Sequence, residues 1–168
     1  MVYRFPSHDH WGDDYNASHN EIKFNGRGES FYTYNKFKRT VNISFKVAAQ
    51  SVFEMKPIYQ KLNYLAAQTA PSYSLNSGRI MTPFMRLTMG DYFNRLPGVL
   101  SSVGIQWQKD YPWEINQEGS RFLKILPHVL DVSVSFLPIH DFVPNSNFTS
   151  SPFIGINGGG YFYGSLGS

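Results

Sequence analysis

The residues best suited to chemistry gather near the start of the chain. His8, Asp9 and His10, followed by Asp13, Asp14 and His19, are metal-ligand types. An i, i+2 histidine pair on an extended chain places both rings on one face. Their spacing matches no established metal motif, so they read as a polar arm, solvated or touching a partner, with no metal and no cofactor. His140 and Asp141 follow an alternating apolar–polar run, and His128 precedes it. No serine sits in a Gly-x-Ser-x-Gly elbow and no acid–base pair is placed by spacing, so no enzymatic activity is expected. Gly158, Gly159 and Gly160 lack the Lys-Ser/Thr and the strand-to-helix context of a phosphate loop. Lys36, Lys38 and Arg39 interleave with Phe31, Tyr32, Tyr34 and Phe37. That is the residue chemistry of single-strand nucleic-acid binding, where rings stack on bases and cations follow phosphate. On a strand and its turn, such rings are more often core.

Composition narrows the class. The chain has 168 residues, enough for one domain with a real core. Aromatic residues make up 17% and charged residues only 16%, against roughly 25% charged in an average soluble domain. Burial against partners accounts for so weakly polar a surface; so does plain tolerance of exposed Tyr and Phe. The net charge of +3 does not by itself indicate nucleic-acid binding, and residues 1–30 hold an acidic excess. The absence of cysteine excludes disulfides, thiolate metal sites and thiol catalysis. No apolar run is long enough for a transmembrane helix. The stretch Met1-Val2-Tyr3-Arg4-Phe5-Pro6 lacks the apolar core of a signal peptide, which points to an intracellular site of synthesis.

The elements that would carry these residues are mostly strands. In Val41-Asn42-Ile43-Ser44-Phe45-Lys46-Val47 the apolar residues share one face, and Asn42, Ser44 and Lys46 share the other. In the run from Val129 to Pro138, Val132, Val134 and Phe136 point one way and Asp131, Ser133 and Ser135 the other. A helix is expected over about 55–69, with Ile58, Leu62 and Leu65 at helical spacing and Pro57 confined to its first turn. Asn25-Gly26-Arg27-Gly28 is a turn after a short strand, Glu21 to Phe24. Pro83 interrupts a strand over 79–89, which suits an edge, and Leu96-Pro97-Gly98 should break the next one. In the strand over 99–108, Trp107 alternates with Ile105 and is expected in the core. The plan is an N-terminal arm (1–20), a β domain (21–140) and an extended C-terminal tail (141–168), in an antiparallel sandwich or barrel with one flanking helix.

Four pieces, in this order, resemble the baseplate-tube and tail-tube-initiator proteins of contractile-tailed bacteriophages. They are Tyr3-Arg4-Phe5-Pro6 with Asp13-Asp14 and Ile22-Lys23-Phe24; Lys38 to Phe45 running into Glu54 to Leu62; Pro83 to Asp91 with Leu96 to Leu100; and Leu126-Pro127 to Pro138. The resemblance spans roughly residues 20–143. Such initiators usually carry a large segment between the arm and the first long strand, whereas here Asn20 meets Glu21 directly. Which tube layer this chain would form is therefore open.

The resemblance implies a tail-tube-type β domain that assembles as a homo-hexameric ring in the virion, built in the host cytoplasm. It implies tail-tube protein, other baseplate hub proteins and the tape-measure protein as partners. It also implies a channel through which double-stranded DNA passes without sequence-specific contacts, and no membrane insertion. Asn42, Ser44, Lys46, Asp131, Ser133 and Ser135 would then face the lumen or a neighbouring subunit. The alternative is a monomeric β-sandwich that binds carbohydrate or single-stranded nucleic acid through Trp11, Trp107 and Trp113.

Overall fold

A computed structural model describes residues 10–73, 80–90, 92–113, 125–146 and 153–154. The expectations placed on His8, Asp9, Gly158, Gly159 and Gly160, and on most of the tail, lie outside these residues. More than half of the described residues are strand, nearly all in one antiparallel sheet, with a single helix. In chain order the elements are β1 (His10–Lys23), β2 (Ser30–Ala48), α1 (Val52–Ala67), β3 (Ser72–Tyr73), β4 (Ile80–Met81), β5 (Met85–Met89), β6 (Phe93–Trp107) and β7 (Val129–Pro138). The main sheet runs β1-β2-β7-β6-β5, and β3 and β4 form a separate two-residue pair.

The sheet is open, not a closed barrel, and no second large sheet packs on it among the described residues. The helix supplies the covering layer instead. Val41 and Ile43 of β2, Leu130, Val132, Val134 and Phe136 of β7, Phe93 and Leu96 of β6 and Leu62 of α1 form the core, with Ile58, Tyr59 and Leu65 packed against it. The opposite face of the sheet is left wet. This one-sided arrangement is what alternating antiparallel strands permit.

Three boundaries differ from the sequence reading. First, residues 10–20, read as part of an arm, are strand, paired along their length with β2. Gly26 takes a positive φ of 84° in the connecting turn, where Arg27 N–H donates to the Phe24 carbonyl at 3.3 Å. Second, α1 starts at Val52, so Pro57 stands beyond the first turn. It forfeits one bond, to the carbonyl of Phe53, at a residue that is 92% exposed. Third, β6 runs through Pro97 unbroken. Successive strand residues aim their backbone groups to alternate sides, and the Pro97 carbonyl accepts from Ile139 N–H at 2.8 Å, just past the end of β7. The missing donor therefore falls where the β6–β7 ladder is ending. Pro83 does separate β4 from β5, and β5 is an edge strand.

The β1–β2 hairpin is longer than the sheet it belongs to. Strand β7 meets β2 only from Val41 onward. Residues 30–40 of β2 and their partners in β1 therefore continue as a two-stranded ribbon, reaching about 35 Å at roughly 3.3 Å per residue.

Candidate functional site

Register brings the six residues of interest together. Asn42 lies opposite Ser135, Ser44 opposite Ser133, and Lys46 opposite Asp131. Directly paired residues of an antiparallel ladder share a face, so all six sit on the wet side of the sheet. Ser135 Oγ donates to Asn42 Oδ1 at 3.0 Å. Lys46 Nζ is 4.0 Å from Asp131 and donates to Gln108 Oε1 at 3.2 Å, while Gln108 Nε2 donates to Asp131 at 2.5 Å. The one cation of this patch thus lies beside its counter-charge, with Tyr111 also near it.

The same face extends further than the sequence suggested. From β1, His10 and Gly12 pair with Ser44 and Asn42, and Asp14 accepts from Asn42 Nδ2 at 2.8 Å. From β6, Ser102, Gly104 and Gln106 pair with Ser135, Ser133 and Asp131. Four strands thus carry a surface of serine, glycine, asparagine and paired charge. A shallow groove of about 430 Å³ runs across it, lined among others by Gly12, Asn42, Ser44, Ser102, Ser133 and Ser135. The β6 contribution is concealed in the sequence by a register shift between Leu100 and Ser102.

Strand alternation takes the residues of metal-ligand type apart. Asp14 faces the wet side, whereas Asp13 pairs opposite Val41 and faces the core. His19 packs edge-on against Tyr34 at 5.5 Å. Among the described residues no three His, Cys, Asp or Glu gather as metal ligands would. The basic run separates too. Lys36 and Lys38 are exposed, but Arg39 is buried. Tyr32 and Tyr34 are 68% and 61% exposed, not core, because the ribbon that bears them projects past the sheet. Trp107, also expected in the core, is 59% exposed and lies 6.3 Å from Trp113. Its alternation is right, but no described layer covers that end of β6.

A second constellation had no signature in the sequence. Arg39 Nε and Nη2 form a fork on the two oxygens of Asp13, at 2.8 and 2.6 Å, with both side chains buried. Asp13 also accepts from the hydroxyls of Tyr15 at 2.7 Å and Tyr92 at 3.3 Å. Burial first, then its bond to Asp13, holds the Tyr15 proton far more tightly than usual, and burial is also the main reason that the Tyr92 proton is held more tightly. The guanidinium lies 4.8 Å from the Tyr15 ring and 5.0 Å from that of Phe93. This cluster welds β1 to β2 beneath the wet face.

The chain matches no protein-family model and no curated protein sequence. None of the described helices is long and apolar enough to cross a membrane.

Proposed function

We propose that this protein is a structural subunit of a contractile phage tail: a ring at the baseplate–tube junction that initiates the tube and lines the DNA path. One observation carries the reading. The wet face is borne by four strands, and both of its borders are open among the described residues. Strand β1 has a partner on one side only, and β5 covers β6 only over 93–98, leaving 99–107 bare on that side. An open edge is a template for another strand. Along β1, β2, β7 and β6 the directions alternate, so the β1 of a second copy would lie antiparallel beside β6 of the first. Repeating that step is a heterologous contact, which makes a ring when the rotation per copy closes. Six copies would bring about 24 strands, well beyond the roughly 16 at which barrels begin to enclose an aqueous channel.

In such a ring Asn42, Ser44, Lys46, Asp131, Ser133 and Ser135 line the lumen. Small neutral side chains and a lysine beside its counter-charge give phosphate few fixed cations to bind, so duplex DNA passes without lodging. The reading assigns no catalysis. Its partners are five further copies, the tail-tube and hub proteins and the tape-measure protein. Electron micrographs of the purified protein, alone and mixed with baseplate and tube proteins, test it. Rings with a central hole are expected; a monomer under every condition overturns the reading.

The exposed pair Trp107 and Trp113 supports the second reading, a monomeric module for carbohydrate or single-stranded nucleic acid. Saturable quenching of tryptophan fluorescence by a saccharide or oligonucleotide would favour it, and its absence would remove it.

A further inference from the structure

Residues His140, Phe142 and Phe153, all after β7, lie against the Arg39 cluster. His140 Nε2 lies 3.3 Å from Arg39 Nη1. A guanidinium only donates, so a hydrogen bond here needs a lone pair on Nε2, which the neutral imidazole supplies. The main-chain oxygen of Phe153 accepts from Arg39 Nη2 at 3.0 Å. The Phe153 ring packs against Tyr15, Phe37, His140 and Phe142, with centroids 5.4 to 5.6 Å away. Tyr15 and Phe37 stand where the ribbon leaves the sheet. One cluster therefore holds both the returning segment and the root of the ribbon.

We infer that His140 is the pH-sensitive element of a latch: while neutral it lets Arg39 hold Phe153 across the root of the ribbon, and once protonated it releases that segment and loosens the root. The groups that face it decide the sign. From β2 comes Arg39; from β1 come Asp13 and Tyr15; Tyr92, before β6, reaches it through Asp13; Asp141 is its chain neighbour. Both oxygens of Asp13 are engaged by Arg39, and one of them also by Tyr15 and Tyr92. A proton on Nε2 would abolish the acceptor and set a second cation beside the guanidinium. Burial first, and Arg39 second, make the imidazole harder to protonate than usual, with Asp13 and Asp141 opposing them. The latch is closed at neutral pH and opens only below the ordinary imidazole range, about 6.5. The unfolded chain takes up the proton first, so stability falls as pH drops below that value. This device is independent of ring formation.

Hydrogen–deuterium exchange on the full chain, corrected for intrinsic rates, tests it between about pH 7.5 and about pH 4. Peptides containing Phe153, and those spanning Tyr15 and Phe37, should lose protection together by about tenfold or more in the wild type. His140→Gln keeps an acceptor for Arg39 and removes the titration, so it should retain protection across the range. Phe153→Ala should reproduce the open root already at neutral pH. Unchanged protection in the acidified wild type, an equal loss in His140→Gln, or a root indifferent to Phe153→Ala would each overturn the latch.

Discussion

Arg39 and Asp13 stand on adjacent strands with their forked ends matched, 2.8 and 2.6 Å apart, in a part of the core that water does not reach. Removing one partner leaves the other charge stranded, which in buried pairs costs about 3–5 kcal/mol. Arg39→Ala should therefore lose most of the stability of the domain in urea titration. The double change Arg39→Met with Asp13→Leu should cost markedly less than Arg39→Ala. If Arg39→Ala costs under about 1 kcal/mol, the cluster is not a structural weld.

Two glycines of β6 make a matched pair of tests. A Cβ on Gly98 would meet the Leu137 carbonyl oxygen and the Phe136 ring, neither of which can swing away. Gly98→Ala should cost about 1–3 kcal/mol. On Gly104 the same Cβ meets Ser133 Oγ, 2.5 Å away, which rotates clear about χ1. Gly104→Ala should lie within about 0.5 kcal/mol of wild type. Equal costs in thermal melts would mean that the β6–β7 packing differs from that described.

Charge on the wet face bears on the channel reading. Asp131→Lys would replace the counter-charge of Lys46 by a second ammonium. Non-specific DNA affinity should then appear in gel-shift titrations and fall steeply with salt. A wild type that already binds duplex tightly, with the same salt slope, would contradict a lumen built not to hold DNA.

High pH probes the buried hydroxyls. Tyr15, Tyr59 and Tyr92 all hold their protons more tightly in the fold than in a free chain, burial being the largest cause in each. The unfolded state loses its protons first, so stability should decline as pH rises above about 10. Tyr15→Phe should flatten that decline, while costing about 1 kcal/mol at neutral pH for its bond to Asp13. An alkaline limb unchanged by Tyr15→Phe would place the titration elsewhere.

Strands β2 and β7 were readable because β-branched and aromatic residues alternate there with polar ones. Strand β1 was not: Gly12, Asp13, Asp14 and Asn16 are all poor strand formers. It is a strand because β2 offers a ladder for its whole length, a tertiary cause that no local window contains. The wet face was half legible for the same reason. Alternation named Asn42, Ser44, Lys46, Asp131, Ser133 and Ser135, but only register could add Gly12, Ser102 and Gly104. Trp107 shows the converse: its side of the strand could be read, but not what covers it. Nothing in sequence order joins Asp13, Arg39, His140 and Phe153.

That last cluster also says something about the birth of the chain. Asp13 and Arg39 leave the ribosome close together and can pair within their hairpin. The His140 and Phe153 acceptors of Arg39 lie 101 and 114 residues further on. Loops that long close late, so these contacts form only after residue 153 has emerged. A chain stopped before His140 would present a half-dressed guanidinium and an uncovered aromatic patch, marks by which cellular quality control could distinguish it from one that carries both acceptors.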